Sequence, residues 1–353
     1  MSETFQLRGL GRSISRDELE IINFDDLLKY NISPGFIFYI SNETKKPFLL
    51  LNPGDVVENE FIEKYQNRGM RSFFILKIVK EDNVRELMNL FLSIKEIKYD
   101  WERDKAKIKI LSHVSNIYWH GNKEGSVLDL VLALNNIFYR LDESMMEQIK
   151  VVSHIAFTRS LLMGTIGVIA ALCDDINDFE LLSDIYHACF LLDYGMMDDD
   201  YSYVLGQTME EERIHPGQGM SFIERSALNK TDVAKFKVHT ELSIHRIQTE
   251  CKKLFFKPEM IKLIGFHHEL NNGTGFPKGL IGSELRTLQT IPIFADHIIP
   301  NATIKFREKD GAGWFKDLYE NNLKAIETEL PIKRLLVKII GRMETLKELV
   351  QAG

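Results

Sequence analysis

From Glu81 onward the chain carries apolar residues at helical spacing and few strand signals, which limits most of it to a helical fold. Leu87, Leu90, Phe91, Ile94 and Ile97 begin the pattern, and Glu81 to Trp119 reads as one long helix or two joined ones. After a break at Gly121 to Gly125, helical patterns recur at Val127–Leu141, Ser144–Ala171, Asn177–Leu192, Thr231–Leu254, Pro258–His268, Leu285–Ile298 and Pro331–Gln351. Met196 to Asn229, rich in Asp, Glu, Gly and Ser, reads as a long loop or an insertion. The preceding segment differs. Phe36–Ile40 and Phe48–Leu51 flank a polar turn and end at Asn52-Pro53-Gly54-Asp55, the composition of a hairpin. A short helix is expected around Arg16 to Tyr30, another over Glu58 to Arg68, and a strand over Arg71 to Lys77. The expected fold is mainly α, with a small N-terminal α/β domain (1–80), a connecting helix (81–120) and an all-helical domain (121–353). A chain of 353 residues is long enough for two domains that each bury a core.

The chemistry gathers in the helical part, because no histidine occurs before His113. Its densest stretch is His267-His268-Glu269-Leu270-Asn271-Asn272-Gly273-Thr274-Gly275-Phe276-Pro277-Lys278-Gly279-Leu280. Neutral imidazoles bind divalent transition metals, and a carboxylate beside them orients a ring or binds directly. The glycines let backbone turn sharply or approach a ligand. Taken alone, the stretch is more often a helix end with two partly exposed histidines and a glycine-rich turn. His154, Asp193, His239 and Asp296 add donors, each at or near an apolar helical run. Any one of them by itself is more often a cap, a solvated terminus or a packing residue. Their order and context together make them a candidate metal-binding set.

Composition excludes several classes. A net charge of -7 argues against general nucleic-acid binding through a basic surface. Cys173, Cys189 and Cys251 are far apart, which is neither a disulfide framework nor a cysteine metal site and fits a reducing cytosol. Met1 to Gln6 has no basic segment leading into an apolar one, so no signal peptide is expected. The apolar run Leu161–Cys173 is too short to span a bilayer and reads as a buried helix. A cytoplasmic protein with no membrane and no nucleic-acid partner is expected.

The order of these residues resembles the HD-GYP family, metal-dependent phosphodiesterases that open the bacterial second messenger cyclic di-GMP. The resemblance covers about Ser144 to Lys305, and its most specific part, HHELNNGTGFPKGLIG, is close to the family's HHExxDGxGYPxGLxG. It implies a helical HD bundle with two further helices carrying the GYP portion. By position it puts His154 on the first helix histidine and Asp193 on the aspartate of the HD pair, the metal-bridging catalytic carboxylate if the chain is active. His239, His267, His268 and Asp296 fall on the later metal ligands. Two cations bridged by a carboxylate polarise a phosphodiester and lower the pKa of a bound water. Such donors suit iron or manganese, and the absence of nearby cysteine disfavours a structural zinc site.

The departures bear on activity. The histidine of the HD pair is Leu192, the lysine three residues after the aspartate is Met196, and the glutamate of a third metal site is Lys150. GYP is GFP, with Phe276 lacking the hydroxyl, and Asn272 replaces the loop aspartate. Asp193, His239, His267 and His268 are therefore expected to hold one metal tightly. A second, at His154, Asp193 and Asp296, is expected to be weak or missing. Lys150, four residues before His154, should share its helix face and neutralise charge there. His215 is a candidate to fill the gap at Leu192, whereas His187 should face elsewhere. Lys150, Gly275, Phe276, Pro277 and Lys278 are the expected substrate contacts, with a guanine on the Phe276 ring and a phosphate on Lys278.

Two readings follow. The chain is a divergent HD-GYP-family protein in cyclic di-GMP signalling, metal-binding, with phosphodiesterase activity impaired or absent. It then binds cyclic di-GMP, its linear product, or a diguanylate-cyclase-type domain. The alternative is an active metal-dependent phosphodiesterase hydrolysing cyclic di-GMP or a linear dinucleotide. Apolar helical faces in Glu81 to Trp119 leave a homodimer open.

Overall fold

The computed structural model describes residues 4–6, 13–41, 46–103, 105–107, 109–110, 126–140, 143–198, 203–208, 228–251, 257–302 and 330–352. Strands β1 (Thr4–Gln6) and β2 (Ser13–Ser15) pair antiparallel. Strands β3 (Glu20–Asn23), β4 (Gly35–Ile40), β5 (Pro47–Leu51) and β6 (Ser72–Lys77) form a four-stranded antiparallel sheet in the order β3-β6-β4-β5. The expected hairpin is β4–β5, with Phe38 opposite Leu49 and Ile40 opposite Pro47. Strand alternation divides the core: Ile37 packs with Ile22, Phe73 and Ile75 under α1 (Phe24–Leu27) and α2 (Asn59–Gln66), while Phe38 packs with Ile14 and Leu76. The helix expected over Arg16 to Tyr30 is instead a 3₁₀ turn at Arg16–Glu18, then β3, then α1. Pairing along β6 outweighs a weak helical pattern there, and it buries Ile22.

The helical part comprises α3 (Glu81–Glu96), α4 (Ser126–Phe138), α5 (Glu143–Val152), α6 (His154–Cys173), α7 (Phe179–Phe190), α8 (Lys230–Glu250), α9 (Pro258–Ile261), α10 (Thr287–Ala302) and α11 (Lys333–Ala352). At its centre lies α6, packed against α4, α5, α7, α10 and α11. From Ala156 to Cys173 every residue of α6 except Thr158 is buried. This helix is long and apolar enough to cross a membrane, yet 89% of its most apolar window is buried inside the protein. A helix that is apolar all round needs such a covered position.

Two differences from the sequence reading matter for the site. The pattern Ser144–Ala171 is two helices, because Ser153 is extended (φ -163°, ψ 118°) and its side chain caps α6 by accepting from Ala156 N. Residues on either side of Ser153 therefore do not share a helix face. In addition, α3 is no free connector: Leu87, Phe91 and Ile94 are buried, and the Phe91 ring meets Phe138 of α4 edge-on at 5.7 Å. Ile32, Val56 and Val79 from before α3 join the same core. Lys80 N and Asn83 Nδ2 donate to the buried Asp129 of α4 at 2.8 and 3.2 Å.

Candidate metal centre

Asp193 stands at the start of a 3₁₀ turn, Tyr194–Met196, just after α7. Helix α8 clamps that turn. Gly195 N donates to Ser243 Oγ (2.7 Å), Ser243 Oγ donates to Leu192 O (2.8 Å), and Arg246 Nη1 donates to Tyr194 O (3.1 Å). Gly195 makes the approach possible, since a Cβ there would lie 2.5 Å from Ser243 N and 2.6 Å from His239 O. Leu192 and Met196 are both fully buried in the main core.

The histidines converge on Asp193 from two elements. His239 lies on α8, and its Nδ1 donates to Phe236 O. His267 follows a 3₁₀ turn, Lys262–Phe266, and its Nδ1 donates to Ile264 O at 2.6 Å. With both Nδ1 hydrogens committed to carbonyls, each Nε2 carries a lone pair, and the two Nε2 atoms face each other at 3.0 Å. Asp193 Oδ1 lies 3.6 Å from the first and 4.0 Å from the second. His268 is buried, its Nδ1 3.7 Å from Asp296 Oδ2, and its Nε2 has no hydrogen-bond partner among the described residues. One ligand atom from each of the three histidines lies within 4.8 Å of the others.

Two facing lone pairs repel unless a proton or a cation joins them. Burial and then the neighbouring His267 push the His239 pKa down to about 4, and burial drives His268 well below its ordinary value. Near neutrality a metal ion is therefore the fitting occupant. Nitrogens about 2.1 Å from a common ion and at right angles on it are about 3 Å apart, the separation an octahedral ion requires.

On the far side of Asp193 lies a residue outside the predicted set. Arg159 of α6 donates from Nη1 to Asp193 Oδ2 and from Nη2 to Asp296 Oδ1, and all three side chains are buried. Burial raises the Asp193 carboxyl, but Arg159, His239 and His267 together outweigh it and hold its pKa below the usual value. For Asp296 burial prevails, and its pKa is raised. A signal for Arg159 was present in the sequence. It is the one Lys, Arg, Asp or Glu in the twenty residues of α6, and a lone guanidinium in a buried helix requires anionic partners.

His154, assigned to this cluster from the sequence, lies elsewhere. It opens α6 with its side chain half exposed, and its Nε2 meets Glu58 Oε1 of the N-terminal segment. Arg159 lies five positions further along the helix, about 140° around the axis and about 7.5 Å along it. Lys150 does not join it: the break at Ser153 turns it inward, onto Glu147 Oε1 (2.8 Å) and over the Phe157 ring (5.5 Å). His187 faces away, bonded to Ser183 O and Arg140 N. His215 lies outside the described residues.

The glycine loop folds back onto the centre. Both Glu269 carboxylate oxygens accept from loop amides, Lys278 N at 2.8 Å and Leu280 N at 2.7 Å, so this buried residue holds the loop rather than a metal. Phe276 N donates to His268 O (3.1 Å), and a Cβ on Gly275 would lie 2.5 Å from His268 O and Leu270 N. The buried Phe276 ring stacks on His268 at 4.7 Å and meets Phe236 edge-on at 5.6 Å. It walls the centre and is not an open platform for a base, contrary to the sequence expectation. Pro277 is half-buried, and Lys278 is exposed with Nζ 4.9 Å over the Phe266 ring.

No family model matches this chain, and no curated protein does. Among solved structures it is similar to Bd1817, described as a HDG"Y"P protein from Bdellovibrio bacteriovorus, at 18% identity and a TM-score of 0.38. The similarity covers 93% of this chain and 99% of that one.

Proposed function

We propose that this chain is an HD-GYP-like protein that holds one divalent metal, iron or manganese, and acts in cyclic di-GMP signalling by binding rather than by hydrolysis. The observation that supports this best is the pair of opposed imidazole nitrogens of His239 and His267, 3.0 Å apart beside Asp193 Oδ1. Asp193, His239, His267 and His268 would hold the ion, which when bound supplies Lewis acidity and positive charge. Carbonyls of Phe236 and Ile264 fix two of the rings, and Phe236 and Phe276 cover the cluster with apolar surface. Imidazole and carboxylate donors without cysteine favour iron or manganese.

The burial of every proposed ligand favours a closed, structural site over an open catalytic one. Recognition then falls to the exposed rim of the loop, Asn272, Thr274 and Lys278, whose ammonium suits a phosphate of cyclic di-GMP or its linear product, or an acidic group of a diguanylate-cyclase-type domain. The test uses one anaerobic preparation for metal analysis, a cyclic di-GMP turnover assay and calorimetry with both nucleotides. The expected result is one tight metal per chain, no turnover, and nucleotide binding weakened by salt and by Lys278→Glu. Turnover on the order of 1–10³ s⁻¹ would overturn the binding reading. A folded protein without metal would overturn the centre itself.

A further inference from the structure

We infer that Arg159 is a built-in cation standing where a second metal ion would otherwise be needed, so that the centre pairs one guanidinium with one divalent metal. For the metal half this rests on the function proposed above. The guanidinium half stands on its own contacts. Its two Nη atoms reach carboxylates from separate elements, Asp193 after α7 and Asp296 on α10. A guanidinium keeps its charge at any ordinary pH, and its planar fork suits bridging of this kind.

The carboxylate oxygens are divided between the two cations. Arg159 takes Asp193 Oδ2 and Asp296 Oδ1, the pair turned away from the histidines. The other pair faces the imidazoles, with Asp193 Oδ1 3.6 Å from His239 Nε2 and Asp296 Oδ2 3.7 Å from His268 Nδ1. Each carboxylate can thus serve the guanidinium with one oxygen and a metal with the other.

Charge leads to the same count. Among the described residues, both carboxylates when ionised and the guanidinium leave a single negative charge, and one divalent ion on the imidazole lone pairs turns that into a single positive charge. A second divalent ion would leave three positive charges in a buried site, which is strongly unfavourable. Leu192, beside Asp193 and fully buried, offers no ligand to offset this.

The experiment is an anaerobic Co²⁺ titration of the full chain, read by visible absorption and by metal stoichiometry, with melting temperature measured on the same samples. Wild type should take up one Co²⁺. Arg159→Met should melt lower without metal, take up a second Co²⁺, and recover melting temperature as that ion binds. Arg159→Lys, which keeps the charge but loses the fork, should bind one Co²⁺ and melt below wild type. Should Arg159→Met not fold, anomalous diffraction from Co²⁺-soaked wild-type crystals decides the matter. A single peak beside the histidines, with Arg159 between the carboxylates, upholds the inference, and a peak between Asp193 and Asp296 overturns it. Two tight ions in wild type would overturn the role of Arg159 while leaving metal binding intact. Wild type without metal, alongside an Arg159→Met variant that gains one ion at the carboxylates, would uphold Arg159 and defeat the one-metal reading. An Arg159→Met variant with wild-type stoichiometry and stability would also overturn the inference.

Discussion

Away from the metal centre, His187 shows how packing fixes the charge state of an imidazole. Its Nδ1 donates to Ser183 O at 2.8 Å, and its Nε2 accepts from Arg140 N at 3.1 Å. Protonation would set an N–H against that amide, and burial pushes the pKa down to about 4. The unfolded chain binds this proton first, near pH 6.5, so stability is full above that pH and falls as pH drops toward 4. The loss from this ring is about 3 kcal/mol. Urea midpoints between pH 7.5 and 4.5 should therefore fall less steeply for His187→Gln than for wild type. Parallel slopes would mean that the ring titrates freely. Gly195→Ala pushes a methyl into the α8 backbone and should cost about 2 kcal/mol or more in urea melts, with weakened metal binding. Gly206, with no atom within 4 Å of an added Cβ, is the control, and Gly206→Ala should change stability by less than about 1 kcal/mol.

At the scale of elements, helices were legible wherever an apolar period ran uninterrupted, as over α4, α7 and α8. The break at Ser153 was not, because apolar residues continue on both sides and only a serine marks the cap. That single break separated Lys150 from His154. The site itself was half legible. Asp193, His239, His267, His268 and Asp296 do come together, whereas Arg159 is not legible as their partner because the carboxylates it binds lie 34 and 137 residues away. Glu269 stands beside the histidines in the sequence as a companion ligand would, but its carboxylate organises loop backbone. Glu269→Ala would leave two amide donors without their charged acceptor, at a cost of about 2–3 kcal/mol. Limited proteolysis should then cut within Gly273 to Gly279 faster than in wild type. An unchanged cleavage rate would mean that the glycines alone hold the loop.

For the whole molecule, packing joins the N-terminal α/β part to the helical part. Ile32, Val56 and Val79 enter the helical core, Asp129 ties to Lys80 and Asn83, and Glu58 contacts His154. Loss of helical circular dichroism and loss of hydrogen-exchange protection at Ile37 and Ile75 should therefore coincide on heating, whereas two separated transitions would show independent units. Removing the metal with a chelator should lower the melting temperature by about 5 °C without unfolding the chain, measured by calorimetry before and after dialysis. Complete unfolding on chelation would mean that the ion carries the fold. Arg159 has a further consequence for a cell whose metal supply varies. A bound ion can be lost to starvation, displaced by a competing metal, or changed by oxidation. A guanidinium is made with the chain, and none of these events removes it. The two acidic groups it holds stay bridged by one positive charge whatever ions the surroundings provide, so part of this centre is insulated from metal availability from the moment the protein folds.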